Sequence, residues 1–235
     1  MLAINDLHAH YGASHIVQGI GLSVARGEVL GVFGRNGVGK TTLLKTIAGW
    51  ISASRGQIIL DGRRIDGSSP DRICRLGVGF VPEDRRIFPG LTVEENLTLG
   101  FLQVPWRGGA ANRAALERIY HRFPRLQERR RQHGTTLSGG EQQMLALARV
   151  LVGEPNLLLI DEPSEGLAPM MVAEIYAILS ELKQAGRAIL LVEQNVAQAL
   201  TVCDRFVAIE RGRVALEGNA RRQADCERLM AVIAV

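Results

Sequence analysis

Lys40 closes the stretch "GRNGVGKTT" at 34–42, which fits the spacing G-x-x-x-x-G-K-[ST]. Gly34, Gly37 and Gly39 let backbone N–H groups approach phosphate oxygens with no Cβ in the way. The run "TLLKTIAG" that follows is a helix candidate, and its N-terminus would add a positive dipole end. The apolar run "EVLGVF" before the loop supplies the strand, so the motif stands in the strand–loop–helix context it requires. Lys40 would reach the β- and γ-phosphates and Thr41 would ligate Mg²⁺, with Asn36 and Thr42 among the nucleotide-binding residues of the same loop. A second run, "LLLIDEP" at 157–163, ends in two carboxylates. At the C-terminal end of a buried strand, Asp161 can hold the Mg²⁺ shell and Glu162 can orient or deprotonate an attacking water. No Asn-Lys-x-Asp guanine reader occurs, so ATP is preferred over GTP.

A further glycine pair follows in "TLSGGEQQ" at 136–143. Ser138 and Glu141 have the S-x-x-E spacing of a helix start, and Met144, Leu145, Leu147, Ala148 and Leu151 continue the helical period. Ser138, Gly139 and Gly140 thus offer a hydroxyl and free N–H groups at a positive helix end, a second anion site. One nucleotide needs one cradle. The second is either an ordinary cap or it serves a nucleotide that this chain does not hold alone.

The elements that must position these groups alternate between strand and helix, which favours an α/β fold. "EVLGVFG", "NLLLID" and "RAILLVE" read as buried parallel strands. "QIILDGRRI" at 57–65 and "FVAIERGRVALEG" at 206–218 read as hairpins turning at Asp61-Gly62 and near Arg211-Gly212. Thr92 and Glu95 have capping-box spacing, so a helix is expected from there. "VPWRGGAANR" at 104–113 reads as a loop, and "RAALERIYHRF" as a helix stopped by Pro124. The mostly helical stretch 91–150 is read as an inserted lobe between core segments 1–90 and 151–235.

The chain has 235 residues, 46% hydrophobic and 22% charged, enough for one sizeable core. No apolar run approaches the roughly 18 residues of a membrane span. The N-terminus shows no basic-then-apolar leader. Cys74, Cys203 and Cys226 lack metal-like spacing, and an odd count does not suggest a disulfide framework, so a reducing cytosol fits. The net charge of +4 suits an anionic partner without choosing one. The basic run "RLQERRRQH" at 125–133 lacks interleaved aromatics and reads as a solvated helix face.

Taken together and in order, "GRNGVGKT", "LSGGE" and "LLLIDEP" resemble the motifs of the ATP-binding subunits of ABC transporters, over nearly the whole chain. The resemblance implies a P-loop NTPase (RecA-like) core with an antiparallel β subdomain and an inserted helical subdomain. It implies two ATPase subunits packed head to tail, each ATP held between one chain's P-loop and the other's signature loop. Ser138 and Gly140 would then touch the γ-phosphate bound by the partner. Tyr11 sits where the family stacks an aromatic on adenine, and "GFVPED" at 79–84 where it has a loop to the membrane subunit. Three positions depart from the family. Glu83 replaces a glutamine, and its carboxylate can still hold Mg²⁺ or its water. Gln194 replaces a histidine; its amide can donate to a γ-phosphate but cannot exchange a proton, leaving proton chemistry to Glu162. Ala168 stands where many members carry an aspartate.

"VPEDRRIFPGLTVEENL", "EPSEGLAP" and "LLVEQNVAQAL" point inward, to the LivF-type ATPases of branched-chain amino-acid transporters. That resemblance implies a second ATPase subunit, two membrane permeases, a periplasmic binding protein and a peripheral place on the cytoplasmic face of the membrane, with no nucleic acid. Urea or short-chain amide importers are the alternative within transport. A soluble ABC ATPase acting on ribosomes or nucleic acid is the alternative outside it; those members usually carry two cassettes or long insertions. The tail "ERLMAVIAV" lacks the expected Tyr-Leu-Gly ending.

Overall fold

The computed structural model describes residues 1–103 and 108–234. Among the described residues, ten strands form two sheets. The strands are β1 (Leu2–Tyr11), β2 (Ser14–Val24), β3 (Val29–Phe33), β4 (Ala53–Leu60), β5 (Arg63–Arg64), β6 (Val78–Val81), β7 (Leu157–Asp161), β8 (Ala188–Val192), β9 (Arg205–Glu210) and β10 (Arg213–Asn219). The helices are α1 (Lys40–Ile47), α2 (Pro70–Arg75), α3 (Val93–Thr98), α4 (Gly109–Arg122), α5 (Pro124–Glu128), α6 (Gly139–Leu151), α7 (Pro169–Gln184), α8 (Val196–Ala199) and α9 (Gln223–Ala234). One sheet is antiparallel, in the order β2-β1-β4-β5; the other runs β10-β9-β3-β8-β7-β6, parallel except for β10 at its edge.

The apolar runs behave as the parallel reading requires. Every residue of β3, β7 and β8 is buried. Alternate side chains serve opposite faces. Leu158, Ile160, Ile189 and Leu191 join a core with Leu145 and Ala148 of α6 and Ile175 and Leu179 of α7. Leu157, Leu159, Leu190 and Val192 face the other way, onto Leu43, Leu44 and Ile47 of α1 and Ile4, Ile20 and Ile58 of the antiparallel sheet. Each such side chain contributes about 1.5–3 kcal/mol by leaving water, so the ends of these strands are firmly held. Both hairpins turn where expected, through left-handed pairs Asp61 (φ 46°)–Gly62 (φ 78°) and Arg211 (φ 48°)–Gly212 (φ 77°).

Between β6 and β7 the described residues form helices and connecting loops, with one isolated antiparallel bridge between Thr92 and His133. α3 starts in the capping box anticipated at Thr92 and Glu95. α4 ends before Pro124. Two readings change. Part of the expected loop 104–113 is helix, because α4 begins at Gly109 behind a left-handed Gly108 (φ 86°); residues 104–107 lie outside the described residues. The basic run 125–133 is not one helix face, since α5 ends at Glu128 and Arg129 turns to Glu141, 2.9 Å away. The tail is packed, with Leu229 of α9 fully buried in the core.

The loop after β6 is pinned from below by a buried cation. The Arg149 guanidinium of α6 donates to the carbonyls of Arg86 (2.7 Å) and Arg85 (3.1 Å) and lies 5.1 Å from the Phe88 ring. Fully buried Asn96 completes the knot, accepting from Phe88 N and donating to Leu91 O and Thr92 O. Arg149→Met is expected to cost about 2–3 kcal/mol, because two carbonyls lose a charged donor; urea denaturation reads it. A midpoint equal to wild type would contradict the anchoring.

Candidate active site

The loop after β3 needs glycine for two separate reasons. Gly34 has φ 149°, and a Cβ there would strike the Ile209 carbonyl oxygen; Gly39 has φ 108°, and a Cβ would sit 2.9 Å from Ile16 Cγ2. Only glycine meets both demands. The loop then feeds α1, whose first residue is Lys40. Lys40 is 4% exposed, and its Nζ donates to Gly34 O (2.9 Å) and Arg35 O (3.2 Å). The same Nζ is 3.6 Å from Glu162 Oε1.

Glu162 follows β7 in a left-handed conformation (φ 46°), fixed by its N–H donating to Val192 O of β8 at 2.9 Å. Non-glycine residues held this way cluster where a side chain must be aimed. Its second carboxylate oxygen accepts from the Gln194 amide. Buried Glu193 ties the two strand-end loops together, accepting from Ser164 N (3.2 Å) and Gln194 N (3.0 Å).

Asp161 is 1% exposed, and its Oδ1 has no hydrogen-bond partner. Burial pushes its carboxyl up to about 6, partly offset by a hydrogen bond from Thr41 and reinforced by the charges of Glu162 and Glu83. A buried carboxylate with an idle oxygen is costly unless a cation meets it. Glu83 is more exposed and gathers with Glu162 and Glu165, their oxygens within 4.8 Å of one another. Partial burial, then the charges of Glu162 and Glu165, raise the Glu83 carboxyl above its ordinary range.

Lys40, Glu83, Glu162 and Gln194 line one cleft of about 460 Å³, with Tyr11, Asn36, Gly37, Gly39, Thr41 and Thr42 on its walls, while Asp161 and Gly34 lie outside its lining. Tyr11 is 66% exposed at the tip of the β1–β2 hairpin, a ring free to take a stacking partner. The sequence reading missed Ile16, Lys45 and Glu165 in this cleft, and Glu193 behind it. Only Glu193 carried a signal, a charged residue directly after an apolar strand.

Ser138, Gly139 and Gly140 do not line the cleft. They open α6 as a capping box: Ser138 N (3.0 Å) and Oγ (2.8 Å) donate to Glu141 Oε2, and Glu141 N donates back to Ser138 Oγ at 3.4 Å. Gly140 lies close under Met171 of α7, where a Cβ would be 2.7 Å from its Cγ. Ala168 caps α7 without a side-chain hydrogen bond.

Residues 17–165 match the family described as ABC transporter. A high-affinity branched-chain amino acid transport ATP-binding protein, BraG of Pseudomonas aeruginosa, is 40% identical over 92% of this chain and 91% of its own length. A probable branched-chain amino acid transport ATP-binding protein, LivF of Archaeoglobus fulgidus, is 35% identical over 97% of this chain and 96% of its own. Less similar relatives are named for glutamine transport and lipopolysaccharide export. A solved structure of an ATP-binding subunit of an ABC transporter superposes with a TM-score of 0.85 at 30% identity, covering 100% of this chain and 95% of that one.

Proposed function

This chain belongs to the ABC transporter family, whose ATP-binding domain hydrolyses ATP, and from that premise we propose that it powers the import of branched-chain amino acids. The observation that carries the mechanism is the cleft where Lys40, Glu162 and Gln194 meet beside the idle oxygen of Asp161. In this reading Lys40 exchanges the Gly34 and Arg35 carbonyls for the β- and γ-phosphates. Gly34, Asn36, Gly37, Gly39 and Thr42 cradle the phosphates, and Tyr11 stacks on adenine.

Thr41 and Asp161 suit Mg²⁺, because a hard cation takes carboxylate and hydroxyl oxygens and Asp161 has one to spare. Glu83 would reach the ion or its water. The bound cation supplies charge neutralisation on the phosphates. Glu162 accepts the proton of the attacking water. Gln194 holds the Glu162 carboxylate and donates to the γ-phosphate, a positioning role, since its amide cannot take a proton. Gln194→Ala is therefore expected to slow turnover about tenfold with ATP affinity nearly unchanged. Equal ATPase rates would remove the role.

The signature residues Ser138, Gly139 and Gly140 act on the partner ATPase's nucleotide, which fits their place outside this chain's own cleft. Ser138→Ala is expected to cost about 1 kcal/mol as a lost cap. It should also slow dimer turnover about tenfold while leaving ATP binding by the isolated chain intact. Weaker binding by the isolated chain would argue against action across the dimer.

No helix among the described residues is long and apolar enough to cross a membrane, so the permeases must be met at a surface. We place that surface at the loop after β6, which exposes Phe88 and sets the Arg86 guanidinium 4.5 Å from the ring of exposed Trp50, which follows α1. The test is a pull-down of the tagged chain from native membranes with mass spectrometry of its companions. Two multi-span permeases, a second ATPase and a binding protein that takes leucine, isoleucine or valine support the reading. Ribosomal proteins without a permease overturn it, and a binding protein selective for urea or amides reassigns the solute.

A further inference from the structure

Three of the chain's five histidines, His8, His10 and His15, lie on one hairpin outside the chemistry above. His8 and His10 are two residues apart on β1 and flank fully buried Ala9, so they share the solvent side of the strand. His15 is the cross-strand partner of His10 on β2, and the pairing register shifts between Ala9 and His10. The result brings His8 Nδ1 within 3.0 Å of His15 Nε2. The His10 and His15 rings stack, their centroids 4.5 Å apart.

We propose that His8 and His15 form a binding site for a borderline first-row divalent cation of the zinc class, with water completing its shell. The other face of His8 is already arranged for this. Its Nε2 donates to Asp6 Oδ1 at 3.1 Å, and Asp6 is held in turn by Arg55, 3.0 Å from Oδ2. A carboxylate on one imidazole nitrogen fixes the tautomer and makes the other an acceptor; here His15 Nε2–H donates to His8 Nδ1, and a metal would take the place of that shared proton. Zn–N bonds of about 2.1 Å at tetrahedral angles place two ligating nitrogens roughly 3.4 Å apart, so the 3.0 Å pair needs to open only slightly. His10 stacks on the His15 ring and stands beside the ion without ligating it. The ligands are nitrogen, while the carboxylates of the nucleotide cleft offer only oxygen, so the two sites differ in the cations they prefer.

The test is calorimetric titration of ZnCl₂ into the chain in the presence of excess MgCl₂, which occupies the carboxylate oxygens. One site in the micromolar range is expected. His8→Ala and His15→Ala should each weaken it more than tenfold, and Asp6→Asn about tenfold. Unchanged affinity in both histidine variants overturns the proposal and assigns the ion to the carboxylates or to Cys74 and Cys226. A second measurement needs no variant. Substoichiometric Cu²⁺ should broaden the imidazole NMR signals of His8 and His15 while those of His121 and His133 stay sharp; the reverse pattern, or no selectivity, also overturns it.

Discussion

Glu162→Gln is expected to lower ATP turnover by about 10² to 10⁴ while leaving ATP binding in place. The substitution keeps shape and removes basicity. Glu162 is 7% exposed, its backbone is locked to Val192 O, and its carboxylate sits between the Lys40 ammonium and the Gln194 amide. A glutamine there can keep a contact to Gln194 but cannot accept a proton from water. The same change removes one of three clustered negative charges, so Glu83 relaxes toward its ordinary range and the phosphates meet less repulsion. Binding should therefore hold or tighten, and the ATP-bound dimer should accumulate. Size exclusion in saturating Mg-ATP, with the partner ATPase supplied, reads this directly. A variant that turns over within threefold of wild type, or that stays monomeric, would remove Glu162 from the role of base.

Asp161→Asn is expected to abolish Mg²⁺-dependent turnover and yet stabilise the ion-free chain. The sign follows from linkage. In the folded chain the carboxyl titrates at about 6 against an ordinary 3.8, chiefly because it is buried. Below about pH 3 both states are protonated and nothing is lost. As pH rises toward 6 the unfolded chain ionises first, and folding loses up to about 3 kcal/mol, a penalty then carried in full at neutral pH. Asparagine cannot ionise, so it escapes the penalty. For a chain of this size the gain corresponds to roughly 5 °C or more in midpoint at pH 7.5 without divalent ion, shrinking toward zero near about pH 3. Saturating Mg²⁺ should raise the midpoint of wild type and not of the variant. A variant less stable than wild type at pH 7.5 without ion would mean that the buried carboxylate carries no such penalty.

Much of this site is legible as spacing along the chain. Gly34 to Thr41, Asp161 with Glu162, and Ser138 with Glu141 are local patterns whose physics is local too: a turn, a strand end, a cap. The hairpin turns at Asp61-Gly62 and Arg211-Gly212 and the box at Thr92 and Glu95 were readable for the same reason. What sequence could not give is proximity created by strand pairing. Glu83 joins Glu162 because β6 lies parallel to β7 with Val81 beside Ile160, a register that no local pattern encodes. Ile16 and Lys45 enter the cleft from a hairpin and a helix with other evident duties. Gly108 and Gly109 misled for a simpler reason. Glycine pairs suggest a loop, yet at the first turn of a helix a glycine costs little, and α4 begins there. The tail was opaque because its partners lie far away in sequence, and burial of Leu229 is a tertiary fact.

Arg149 grips backbone carbonyls of Arg85 and Arg86, not their side chains, and it does so from the same helix that Ser138 caps. α6 is thus a lever with the signature at one end and a clasp on the aromatic surface loop near the other. Ten residues of helix separate Gly139 from Arg149, roughly 15 Å of stiff rod. A tilt of about 10° pivoting at the capped end would carry the clasped loop by nearly 3 Å, about half a helical turn. Because the clasp holds main chain, the side chains at 85 and 86 are free to be refitted to a different membrane partner while the stroke stays the same.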